Sequence, residues 1–131
     1  MLLDKISTTN LFANTSPENT DSDPQGADLR MKIRLEYNSP NSYMREISVL
    51  ADENASAGFD SGFDTEMANI QADDMYWMID SGKFLNQGIN DINVETVLSL
   101  GINTNSSGLN TIAIDKLENI PNAMKIYVHD I

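Results

Sequence analysis

Cysteine is absent from the 131 residues, which excludes a disulfide framework, a thiolate zinc site and a cysteine nucleophile. Histidine occurs once, as His129, and no serine sits in a nucleophile-elbow motif, so a catalytic triad has no obvious members. Basic residues are scarce: 8 Lys and Arg against 20 Asp and Glu leave a formal charge of -12. That charge repels phosphate backbones and anionic lipid surfaces, which makes nucleic acid a poor partner. The basic residues that do concentrate are Arg30, Lys32, Arg34 and Arg45, and two adjacent strands with solvated faces explain them more simply than a polyanion site does. No Gly-rich phosphate loop is present. The opening residues, Met1 to Ile6, lack the charged lead and long apolar run of a signal peptide or membrane span, so no membrane insertion is expected. If the protein is exported, this chain is then a piece of a longer one. A sustained helical period is missing as well.

What remains is a series of short runs with strand periodicity. The clearest is Leu29 to Tyr37, where apolar and charged residues alternate over nine positions, as a half-buried strand requires. Leu29, Met31, Ile33, Leu35 and Tyr37 are expected to face the core. Asn38 to Ser42 is turn chemistry around Pro40, and Tyr43 to Leu50 reads as the returning strand of an antiparallel hairpin. Asp74 to Asp80 carries the chain's one Trp, Trp77, and ends in Asp80-Ser81-Gly82, a turn leading into Lys83-Phe84-Leu85. Val94 to Leu100 and Thr111 to Ile114 suggest a third hairpin across Asn103 to Gly108, and Lys125 to His129 a closing strand. Residues 1–28, rich in Ser, Thr, Asn, Asp and Pro beyond Ile6, read as a loosely ordered arm in which Leu11-Phe12-Ala13 can dock as an edge strand. Residues 29–131 then form one all-β domain, an antiparallel β-sandwich of the jelly-roll or Ig-like kind.

Taken in order, these segments resemble the sandwich region that precedes the C-terminal sorting domain in many large proteins exported by the type IX secretion system of Bacteroidetes. The residues that carry the resemblance are Ile33 to Pro40, the acidic loop Phe59 to Asp64, the aromatic strand Met75 to Asp80, Leu100-Gly101, Leu117-Glu118-Asn119 and Ile126 to Asp130. The resemblance implies a secreted or outer-membrane-surface location. Members of that group continue with further strands where this sequence stops at Ile131. The expectation is therefore a sandwich lacking its last strands, with an open sheet edge that invites strand addition by a partner or a second copy.

Three residue sets could carry chemistry. Asp52, Glu53, Asp60, Asp64 and Glu66 fall within fifteen residues and supply the hard oxygen ligands that Ca²⁺ takes, although the spacing is not that of an EF-hand. The competing and favoured reading has Asp60 and Asp64 accepting hydrogen bonds from nearby backbone amides while Phe59 and Phe63 pin the loop. Asp73, Asp74 and Asp80 could mimic the paired carboxylates of a glycosidase, but carboxylates at strand ends commonly form turns. Tyr43, Tyr76, Trp77, Phe84 and Tyr127 serve as core anchors or as an aromatic platform for a sugar ring, with Tyr76, Trp77 and Tyr127 the candidate ligand contacts. The inventory suits a non-enzymatic module for adhesion, docking or spacing, whose partner is a protein or a glycan at the cell surface. The alternative is a carbohydrate-binding accessory domain of a polysaccharide-degrading enzyme, stabilised by Ca²⁺.

Overall fold

The alternating stretch around Ile33 requires an extended segment with one wet face. In the computed structural model of the chain, which describes residues 1–5, 11–14 and 28–130, that segment is a strand with buried Ile33, Leu35 and Tyr37. The described residues form ten strands and no helix. They are β1 (Leu2–Lys5), β2 (Leu11–Asn14), β3 (Lys32–Asn38), β4 (Met44–Ala51), β5 (Thr65–Glu66), β6 (Asp74–Ile79), β7 (Gly82–Ile89), β8 (Val97–Asn103), β9 (Asn110–Glu118) and β10 (Tyr127–Asp130). The protein is all-β. One sheet runs in the order β10-β1-β8-β6-β7-β4-β3-β9-β2, with β5 attached to β7, and it curls into a half-barrel.

Two of the expected hairpins form. In β3–β4, Ile33 lies opposite Val49 and Leu35 opposite Ile47, so the hydrophobic pattern of each strand fixes a register that buries both. In β6–β7 the connecting residues Asp80 and Ser81 both have positive φ, 48° and 69°, the conformation whose twist matches a two-residue hairpin.

The rest of the topology departs from the expectation of antiparallel neighbours. The sheet is mixed: β1 runs parallel to both β8 and β10, β2 parallel to β9, and β4 parallel to β7. The third hairpin does not form, because β8 pairs with β6 and β1 while β9 pairs with β3 and β2. The connection between them spans the two halves of the curl instead of closing a ribbon. Leu2–Lys5, read as part of a loose arm, form β1 between β8 and β10, with Leu3 1% exposed. Leu11–Asn14 form a strand at the end of the order, as the edge-strand reading has it. Leu29 is 76% exposed rather than inward-facing, because the regular strand starts only at Lys32.

β7 is the pivot. Its first residues, Gly82 to Phe84, pair with β6, and Asn86 to Ile89 pair with β4. Phe84 lies opposite buried Trp77 and Gln87 opposite buried Val49, so residues of opposite parity point inward in its two halves. An extra residue accommodates the change: Thr65 and Glu66 of β5 are consecutive, yet face Asn86 and Phe84. Trp77 closes the junction, its indole N–H donating to the Ser48 carbonyl at 2.8 Å.

Candidate functional site

The acidic loop between β4 and β5 folds on its own carboxylates. Asp60 accepts the Ser56 backbone N–H at 2.6 Å and the Ser56 hydroxyl at 2.9 Å. Asp64 accepts the Asp60 N–H at 2.6 Å and reaches the sheet through the Gly88 N–H at 2.8 Å. Gly88 has to be glycine for this docking, since a Cβ there would lie 2.6 Å from the Phe63 Cβ. Asp52 accepts the Asn54 N–H at 2.8 Å and the Arg30 guanidinium at 2.7 Å, and these bonds hold its carboxyl below the usual range, the Asn54 N–H contributing most. Glu53 and Glu66 are exposed. The structure thus joins Asp60 to Asp64 through the backbone and leaves the other three apart. Among the described residues no group of three or more His, Cys, Asp and Glu side chains could hold a metal ion. Phe59 is 54% exposed, its ring centroid 5.7 Å from that of Phe84.

A second acidic centre, at one end of the curl, is more tightly knit. Asp74 is fully buried and binds Arg45 with two bonds, Nε at 2.8 Å and a terminal nitrogen at 3.0 Å, while accepting the Gln71 and Met75 N–H groups at 2.9 Å. Its neighbour Asp73 gathers two separate turns. It accepts the Asn105 N–H at 2.9 Å, the Thr104 and Ser106 hydroxyls at 3.0 Å, and the Asn41 amide at 3.2 Å. Asn41 also donates to Ser106. Alongside, Tyr37 donates to Asn110 at 2.5 Å, and burial, reinforced by Asp73 and Asp74, pushes its phenol up to about 12.

The Asn105 N–H first, then the hydroxyls and the Asn41 amide, lower the Asp73 pKa below its ordinary 3.8. A carboxyl with a depressed folded-state pKa contributes stability that is present above its unfolded pKa and lost as pH falls through the folded one. Asp73→Asn is therefore expected to melt below the parent at pH 7, with the gap narrowing as pH drops below about 4. Thermal melts of both proteins from pH 7 to pH 2 check this, and a gap that stays constant with pH contradicts it.

The aromatic candidates divide. Trp77 is fully buried and Tyr76 is 4% exposed, so neither presents a ring face to a ligand, whereas Tyr127 on β10 is 55% exposed. Tyr76 lies on Gly101, donates its hydroxyl hydrogen to Asn103 at 2.7 Å and has the Lys83 ammonium 4.7 Å from its ring centroid. Tyr43 is half-buried beneath the Arg45 guanidinium. His129 is exposed on β10. The basic residues singled out above all meet acids: Arg30 meets Asp28 and Asp52, Lys32 meets Asp28 and Glu118, and Arg34 meets Asp115 and Glu46.

An open cleft of about 370 Å³ lies between Leu29–Met31, Ala51–Asn54 and the Asn90–Asp91 pair. Nothing in the local sequence announced it, because its walls come from three segments distant in the chain. The Asp74–Arg45 pair is not legible locally either, since its partners lie 29 residues apart in the chain. The available signal was the tandem Asp73-Asp74 at the head of an aromatic strand, close to two turns rich in donors. No helix among the described residues is long and apolar enough to cross a membrane. Comparison with protein-family models, curated proteins and solved structures finds no match to this chain.

Proposed function

We propose that the chain is a non-catalytic module of a secreted or cell-surface polypeptide, acting in adhesion, docking or as a spacer. One observation carries this reading: Asp60, Asp64, Asp73 and Asp74 are each engaged by backbone N–H groups, Asp60 within its own loop, Asp64 from Asp60 and from Gly88 of the sheet, Asp73 from the turn at Asn105, and Asp74 from Gln71 and Met75. Carboxylates so engaged stiffen a scaffold, whereas a general acid or base needs a proton within reach of a substrate. The likeness to the sandwich regions of type IX-exported proteins supports the location. The fold that goes with it is a two-layer, jelly-roll-like sandwich. Its support is β7, which pairs with β6 in one half and β4 in the other, as strands do when they pass between layers.

The exposed Tyr127 favours carbohydrate binding as the second reading. A single set of measurements separates the two. Antiserum against this chain is expected to label the surface or medium of the producing cells, and the purified chain is expected to turn over no glycoside or ester and to leave a glycan array blank. Recovery only from the cytoplasm, or turnover lost in Asp73→Asn, would overturn the proposal. Array binding lost in Tyr127→Ala would transfer the assignment to the carbohydrate reading.

A further inference from the structure

The open cleft of about 370 Å³ is of the size of the smaller ligand-binding clefts, which run from about 300 to 1,000 Å³. Its walls are tied to one another. The Ala51 N–H donates to the Met31 carbonyl at 2.9 Å, the Asp52 N–H to the Ile89 carbonyl at 2.8 Å and the Asn90 amide to the Glu53 carbonyl at 3.1 Å. A cleft so held is formed before any ligand arrives, which lowers the ordering cost of binding.

The lining combines apolar with acidic surface. Leu29, which is 76% exposed, and half-buried Met31 supply the first, while Asp52, Glu53 and Asp91 supply the second. Arg30 is the one cation of the lining, and it is already committed: its guanidinium donates to Asp28 at 2.7 and 2.8 Å and to Asp52 at 2.7 Å. Glu53 and Asp91 are exposed, and no ion pair among the described residues includes either. Asp91 accepts the neutral Asn93 amide at 3.1 Å. The cleft therefore carries negative charge that the fold leaves uncompensated.

Charge selects the occupant. These carboxylates do not converge into a group that could hold a metal ion. The chain's own stretch from Thr15 to Ala27 contains Glu18, Asp21 and Asp23 but no Lys or Arg, and a second copy brings a formal charge of -12, so both are repelled. A lysine side chain suits both parts of the lining, because its aliphatic stem covers apolar surface while its ammonium seeks carboxylates. Taking the docking role proposed above as given, we infer that this cleft receives a lysine-rich segment of a partner protein, with one lysine stem against Leu29 and Met31 and its ammonium beside Glu53 and Asp91.

Titration of the purified full chain with a synthetic Lys-Gly-Lys-Gly-Lys peptide, followed by amide NMR shifts, tests this. Half-saturation is expected at about 0.1–1 mM in low salt, as a few exposed charge pairs allow, and binding weakens as added salt shortens the Debye length toward about 3 Å. The largest shifts are expected within residues 29–31, 51–54 and 90–91. Glu53→Gln with Asp91→Asn is expected to weaken binding about three- to tenfold. Glu46→Gln with Glu66→Gln removes the same charge from exposed positions outside the cleft and is expected to leave affinity within about twofold. Leu29→Ser is expected to weaken binding with no change in charge. Shifts spread evenly over the acidic surface, no saturable shift up to about 5 mM peptide, or equal losses in the two double variants overturn the inference. The shift map of the unaltered chain decides even where a variant unfolds. Because the readout is made on purified protein, its failure is distinct from a failure of the surface location, which the antiserum reports.

Discussion

Replacing Asp74 with alanine is expected to destabilise the protein by about 3–5 kcal/mol, the cost of leaving a buried charge without its partner. Asp74 is fully buried and Arg45 keeps only 20% of its side-chain surface, so the guanidinium released by the change has little water to turn to. The Gln71 and Met75 N–H groups lose an acceptor at the same time, and each orphaned donor costs about 1–3 kcal/mol when buried. The paired substitution Asp74→Leu with Arg45→Met discriminates between causes. If stranded charge dominates, the double variant is more stable than Asp74→Ala, because the ion pair is removed whole. Urea unfolding of the three proteins measures the difference. A single-variant cost under about 1 kcal/mol, or a double variant no more stable than Asp74→Ala, would show that the pair is no keystone.

Gly101→Ala is expected to cost about 1–3 kcal/mol through overpacking, an unusually large response to one methyl group. A Cβ at this position would lie 2.2 Å from the Tyr76 Cε1 and 2.8 Å from its Cδ1. The ring cannot readily retreat. Its hydroxyl is bonded to Asn103, Lys83 covers it, and only 4% of the residue is exposed. Removing the ring should remove the penalty, so Gly101→Ala introduced into Tyr76→Ala is expected to be close to neutral. Residues in contact are the ones whose effects fail to add. Equal costs in the two backgrounds would place the strain elsewhere.

These two positions also show where the sequence is readable. Leu100-Gly101 can be recognised as part of a pattern, but the glycine's purpose lies in a ring on β6 opposite it, which only pairing of β6 with β8 brings there. Arg45 shares the parity of Ile47 and Val49, and a cation at that parity looks misplaced until Asp74 is found beside it. The acidic loop is the reverse case. Asx-type bonding by Asp60 and Asp64 is local chemistry over four residues, and it was legible from the spacing alone. Phe63 fits its expected pinning role against Gly88, while Phe59 is largely in solvent. On the aromatic strand the two candidate ligand contacts Trp77 and Tyr76 are both buried, the ring of Tyr76 enclosed by Lys83 and the close approach of Gly101, contacts that composition does not reveal.

Legible in the residues themselves are the all-β class, the extended stretches around Ile33, Ile47 and Trp77, the inward turn of Ile33, Leu35 and Tyr37, and the tight turn at Asp80-Ser81. Each of these follows from interactions within a few residues. Long-range packing sets the rest: β1 enters the sheet between β8 and β10, β8 and β9 part company, and Asp73 draws together residues from two distant turns. Backbone hydrogen bonds are the same for every strand, so a strand's own residues cannot name its neighbour. The choice is made by burial summed over the whole curl, a quantity that exists only once the chain has closed on itself.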